Sequence, residues 1–150
     1  MKKSIQYTYF FEHSPEIVWE YLTKPELMEQ WLMPSNFQLT PGHDFQFRTN
    51  PMPAFEFDGN IYCKVLEIDP LKKLSYSWKG GPGNGITTMD TIVEWTLTPE
   101  NNGTSLYLNH YGFEETVHLP VYPLMQEGWK KNIHKINELI KKAQHDTANA

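Results

Sequence analysis

The sequence predicts an α+β domain, in which a curved antiparallel sheet of about six to seven strands wraps around one long C-terminal helix and two short helices follow the first strand. Three observations predict it. From about residue 35 to residue 113 apolar side chains recur with the period of two that marks a half-buried strand. From about residue 120 they recur every three or four positions, as on one face of a helix. Between the first strand and the rest, "HSPEIVWEYLTKPELMEQWL" holds two helix starts separated by one break. A run of hairpins makes an antiparallel sheet whose apolar face must be covered, and wrapping a twisted sheet around a long helix covers it economically.

Each element has its own signal. "KSIQYTYFFE", residues 3–12, alternates and is rich in aromatics, as a strand should be. Ser14 is placed to cap the next helix, with Pro15 at its first position, Glu16 in its first turn, and Val18 and Leu22 on one face. Lys24 precedes Pro25 and so avoids helical angles, which ends that helix. Pro25 opens a second, with Leu27, Met28 and Trp31 on its apolar side. "DFQFR" puts Phe45 and Phe47 on one face, and "FEFDGNIYCKVLEI" reads as one longer strand with a bulge at Gly59. Asp69-Pro70 turns the chain into "KLSYSW", where Leu74, Tyr76 and Trp78 share a face. "KGGPGNG" is a loop, and Met89, Thr91, Val93, Trp95 and Leu97 line one face of the strand after it. Asn102-Gly103 signals a hairpin turn. The return strand "GTSLYLNHYGF" carries His110 on the same side as Leu106 and Leu108. Met125, Trp129, Ile133, Ile136, Ile140 and Ala143 then trace the buried face of the last helix. Residues 1–150 are expected to form one domain, with a core over about residues 3–144 and a frayed tail, "HDTANA".

Composition excludes several classes of function. A net charge of −5 argues against general nucleic-acid binding, and the five lysines between residues 130 and 142 read as the solvated face of a helix. No apolar run is long enough for membrane insertion, and "MKKSIQYTYFFEH" lacks a signal-peptide core, so a cytoplasmic location is expected. Cys63 is the single cysteine, which rules out an internal disulfide and a cysteine-based zinc site. The six histidines show no ligand spacing; His110 and His118 come nearest, across a strand-to-helix connection, and no metal or other cofactor is expected. "GGPGNGIT" has glycines five apart but lacks the Lys-Ser/Thr and the helix of a phosphate loop, which leaves a hairpin tip or a lid. No nucleophile elbow is present, and Asp44, Asp58, Asp90 and Glu94 all fall on the polar sides of their strands. The aromatic share of 14% is the informative number, since such rings either fill a core or line a pocket for a flat ligand.

Five ordered motifs carry a resemblance over roughly residues 7–140: "SPEIVWEYLTKPELMEQWL", "LTPGHDFQFR", "GNIYCKVLEIDPLKKLSYSW", "NNGTSLYLNHYGF" and the Gly128-Trp129 dipeptide. On these the chain resembles the activator of heat-shock protein 90 ATPase homologue-like domains of the START-like, or SRPBCC, helix-grip superfamily. His43 departs from the pattern, standing where the family's Pro-Gly-Gly has its second glycine. The resemblance implies a helix-grip fold with a hydrophobic cavity between the sheet and the last helix. It does not imply one activity.

Three functions are therefore expected as alternatives. The first is binding of a small apolar, phenolic or lipid-like ligand in a cavity lined by Trp31, Phe45, Phe47, Trp78, Trp95, His110, Phe113, Met125 and Trp129. The second, suggested by the family name, is a co-chaperone that activates a heat-shock protein ATPase; the related eukaryotic activator has a separate N-terminal domain for which this chain leaves no room. The third is a cyclase- or hydrolase-type enzyme with His110 as acid/base and Tyr62, Tyr76 or Tyr111 as its partner. His110 can equally be a satisfied core histidine or a ligand contact. Both a monomer and a homodimer fit the sequence.

Overall fold

The computed structural model describes residues 2–114 and 121–148, with side chains over 3–114 and 121–144. The chain runs β1 (Lys2–Phe11), α1 (Pro15–Thr23), α2 (Pro25–Trp31), β2 (Asp44–Arg48), a 3-10 turn (Pro53–Phe55), β3 (Asn60–Asp69), β4 (Lys73–Gly80), β5 (Met89–Glu100), β6 (Gly103–Glu114) and α3 (Tyr122–Ala148). The six strands form one antiparallel sheet in the order β1-β6-β5-β4-β3-β2. Strands β2 to β6 follow one another as a meander, and β1 joins at the far edge beside β6. The helices cover one face of this sheet, as its alternating burial requires.

The two short helices form as their caps dictate. Ser14 Oγ accepts the Ile17 N–H at 3.4 Å, and the Lys24 N–H closes α1 on Glu20 O at 3.0 Å. Lys24 adopts extended angles, φ −100° and ψ 119°, ahead of Pro25. The break turns α2 so that the Trp31 indole N–H reaches Tyr21 O at 2.8 Å. In α3 the buried face is Trp129, Ile133, Ile136 and Ile140, steps of four, three and four. Ala143, expected on that face, is exposed.

Two local expectations change, and two further features come from the structure. β3 begins at Asn60, and the segment before it is a separate loop in which Met52 and Phe57 exchange backbone hydrogen bonds; Gly59 closes that loop and is not a bulge. The β5–β6 turn is centred one residue early. Asn101 (φ 47°) and Asn102 (φ 64°) take the two left-handed positions, and Gly103 already pairs with Glu100. The turn before β2 puts its positive φ on Gly42 (77°), so His43 replaces the family glycine without backbone strain. His43 instead stacks on Phe45 and bonds Asn36 O through Nε2 at 3.2 Å. Lastly, β6 carries a bulge at Gly112 (φ 102°), where Lys3 faces Phe113 but Ser4 faces Tyr111. The extra residue flips the side-chain alternation, so His110 and Phe113, three apart, both point inward.

Candidate functional site

The middle of the grip is full. Trp31, Trp95, Trp129 and Tyr76 pack against one another and against Phe37, Phe45 and Phe47, all buried. The polar ends of these rings are used internally: Trp95 Nε1–H donates to Tyr76 Oη at 3.0 Å, and burial holds the Tyr76 phenol far above its usual range. Cys63, at 5% exposure, is likewise an inert buried thiol, pushed up by burial.

His110 is completely buried, and its protonation state follows from its neighbours. Trp129 Nε1–H can only donate, and it meets His110 Nδ1 at 3.0 Å, so Nδ1 accepts. A neutral ring then carries its proton on Nε2, which donates to Thr91 Oγ1 at 2.8 Å, and the Thr91 hydroxyl donates onward to Trp78 O at 2.9 Å. The chain Trp129→His110→Thr91→Trp78 ties α3 to β6, β5 and β4 and uses both nitrogens of the His110 ring. Burial lowers the His110 pKa to about 3, which agrees with this arrangement. The ring keeps neither a lone pair nor a proton for a substrate. Of the three tyrosines considered as its partners, Tyr76 is bonded to Trp95, Tyr62 is 51% exposed on the outer face of the sheet, and Tyr111, the next residue along β6, lies on the opposite face from His110. His118 lies outside the described residues.

A cavity of about 430 Å³ opens beside this packed core, at the end of the sheet where β4 and β5 meet the start of α3. That volume is in the range of small-molecule sites. Ile61, Trp78 and Met89 of the sheet form its floor, and the 49–57 loop forms one wall. Gly80, Gly81 and Thr88 bound it at the β4–β5 hairpin, while Met33, Val121 and Met125 close the helical side. Of the nine residues expected to line a cavity, Trp78 and Met125 do so. Trp31, Phe45, Phe47, Trp95, His110, Phe113 and Trp129 are buried in the core next to it. The 49–57 loop was not expected because "FEF", residues 55–57, reads as the start of the strand that follows; the prolines at 51 and 53 just before it, which cannot serve a sheet ladder, were the available signal. The sequence places Met125 at the cavity and Met89 on the inward face of its strand, but not Met33 or Met52. Four of the six methionines in the chain, Met33, Met52, Met89 and Met125, converge on this cavity from four separate segments.

Among the described residues no cluster of three or more His, Cys, Asp or Glu is arranged to hold a metal ion, and no helix is long and apolar enough to cross a membrane.

A curved antiparallel sheet gripping a long C-terminal helix, with two short helices after strand 1, defines a helix-grip protein of the START-like class. The profile of the activator of Hsp90 ATPase homolog 1-like proteins matches residues 12–141, and the chain belongs to that family. Among solved structures, it is similar to the protein MLL2253 from Mesorhizobium loti, at 29% identity and a TM-score of 0.82, over 93% of this chain and 98% of that one. BH1534 from Bacillus halodurans is 23% identical with a TM-score of 0.70, over 91% of this chain and 95% of that one. CalU16 from Micromonospora echinospora is also 23% identical, with a TM-score of 0.68 over 93% and 74%. The last two share the fold. A search of curated proteins gives no match.

Proposed function

We propose that this protein binds a small apolar molecule with a flat, polarisable ring system in the cavity between β4, β5, the 49–57 loop and the first turn of α3. One observation carries the reading. Four methionine side chains and the Trp78 indole surround a space of about 430 Å³ that the packed core leaves open. Thioethers are flexible and polarisable, make favourable contacts with aromatic rings, and adapt to more than one ligand shape. His110, saturated by Trp129 and Thr91, gives rigidity to the wall and takes no part in chemistry.

The test is a calorimetric titration with 2-naphthol. Saturable binding to the wild-type protein is expected, together with its loss in Met125→Arg, whose guanidinium occupies the cavity while its stem lies along the wall. Thermal melting of the variant shows that the fold persists. Absence of saturable binding to the wild type, or undiminished binding to the folded variant, refutes the reading.

A further inference from the structure

Glu56 is the one ionisable side chain among the described residues that line the cavity; the others are apolar, threonine or glycine. Its backbone is left-handed, φ 55° and ψ 47°, a conformation that glycine or asparagine adopts at less cost. The loop around it is held firmly. The Glu56 N–H bonds Pro53 O at 3.0 Å, Met52 N–H bonds Phe57 O at 2.9 Å, and Asp58 N–H ties the loop to Gly81 O at 2.8 Å.

The carboxylate has no ion-pair or hydrogen-bond partner among the described residues. The cations of the adjoining strands face away from it. Arg48 and Lys79 alternate with the inward Phe47 and Trp78 and so lie on the outer face of the sheet, where Lys79 meets Asp90 at 4.0 Å.

We propose that Glu56 sets the charge selectivity of the cavity: the ligand is an apolar aromatic molecule carrying a protonated amine directed at Glu56, and aromatic carboxylates are turned away. The inference rests on the cavity being a ligand site. Glu56 is exposed at the edge of the cavity, so its charge attracts a cation and repels an anion through solvent, and salt screens both effects.

Three probes with one ring system test the idea: 1-naphthalenemethylamine (cationic at neutral pH), 1-naphthalenemethanol (neutral) and 1-naphthoate (anionic), each titrated by calorimetry at low salt. The amine is expected to bind about threefold more tightly than the alcohol and about tenfold more tightly than the carboxylate, with both ratios shrinking at 0.5 M NaCl. Glu56→Gln should bring the three affinities together. Glu56→Gly should do the same while melting at an equal or higher temperature, since glycine relieves the left-handed strain; a lost preference then cannot be blamed on unfolding. Naphthoate binding as tightly as the amine, or ratios unaltered in Glu56→Gln, overturns the charge proposal alone. Failure of the neutral alcohol to bind overturns the ligand-site reading and this one with it.

Discussion

His110 shows how a side chain that looks reactive in sequence becomes inert in the fold. Its place on the leucine side of β6 was legible from the alternation of Leu106 and Leu108. Its partners were not, because Thr91 and Trp129 each lie 19 residues away and only the strand register and the pitch of α3 bring them to the ring. The arrangement has a consequence for acid stability. The folded ring takes a second proton only near pH 3, whereas an unfolded histidine takes it at the ordinary value of 6.5. Between those values the unfolded chain binds the extra proton, so stability is complete above pH 6.5 and declines as pH falls toward 3. At pH 5 the loss is about 2 kcal/mol relative to neutral pH. Urea unfolding at pH 7.5 and pH 5.0 should show this loss in the wild type, and His110→Gln, though less stable at pH 7.5, should show a pH difference smaller by about that amount. An identical pH difference in the two proteins would contradict the locked neutral ring. His43 teaches the complementary lesson: it stands where the family pattern has a glycine, but the neighbouring Gly42 carries the positive φ.

At the scale of elements, local chemistry was legible and exact register was not. The Ser14 cap, the Pro25 break and the helical stripe from Trp129 to Ile140 follow from residues close together in sequence. The β5–β6 hairpin was also legible, but its centre falls on Asn101-Asn102 and not on Asn102-Gly103, for a tertiary reason. Gly103 lies against β1, where a Cβ would come within 2.2 Å of Phe11 O, so glycine is spent on close strand approach and asparagine is left to make the turn. Two substitutions separate these roles. Asn102→Gly, which supplies the favoured residue at a left-handed turn position, should raise stability by up to about 1 kcal/mol. Gly103→Ala should lower it by roughly 3 kcal/mol or more, because backbone must move to admit the methyl group. Denaturant midpoints of the two variants check both signs. The bulge at Gly112 was illegible for a similar reason: a change of alternation is defined only against the partner strand, and β1 is about a hundred residues away in sequence.

At the scale of the whole molecule, the inward faces could be read from the sequence but the distribution of empty space could not. Strand parity and helical period identify which residues face the interior. Whether those residues fill it depends on their summed volumes and on where α3 stops covering the sheet. Tyr76, Trp95 and Trp129 fill the centre, and the open space lies at one end, under the first turn of α3, where Met125 is only half-buried. Cavity and core are therefore adjacent and share Trp78, whose ring borders the cavity and whose carbonyl receives the Thr91 hydroxyl.

The indoles also form a continuous series. Trp31 meets Trp95 at 5.9 Å between ring centroids, Trp95 meets Trp129 at 5.5 Å, and Trp129 meets Trp78 at 5.3 Å. At such separations an excited state migrates from one indole to the next faster than it emits. Light absorbed deep under α2 thus reaches the ring at the cavity wall. A non-absorbing quencher seated against Trp78 should dim the emission of all four, so the drop on saturation should exceed the one-fifth share that a single tryptophan of five would contribute. Trp129→Phe, which interrupts the series, should cut the drop to that of Trp78 alone, and steady-state fluorescence of the two proteins measures the difference.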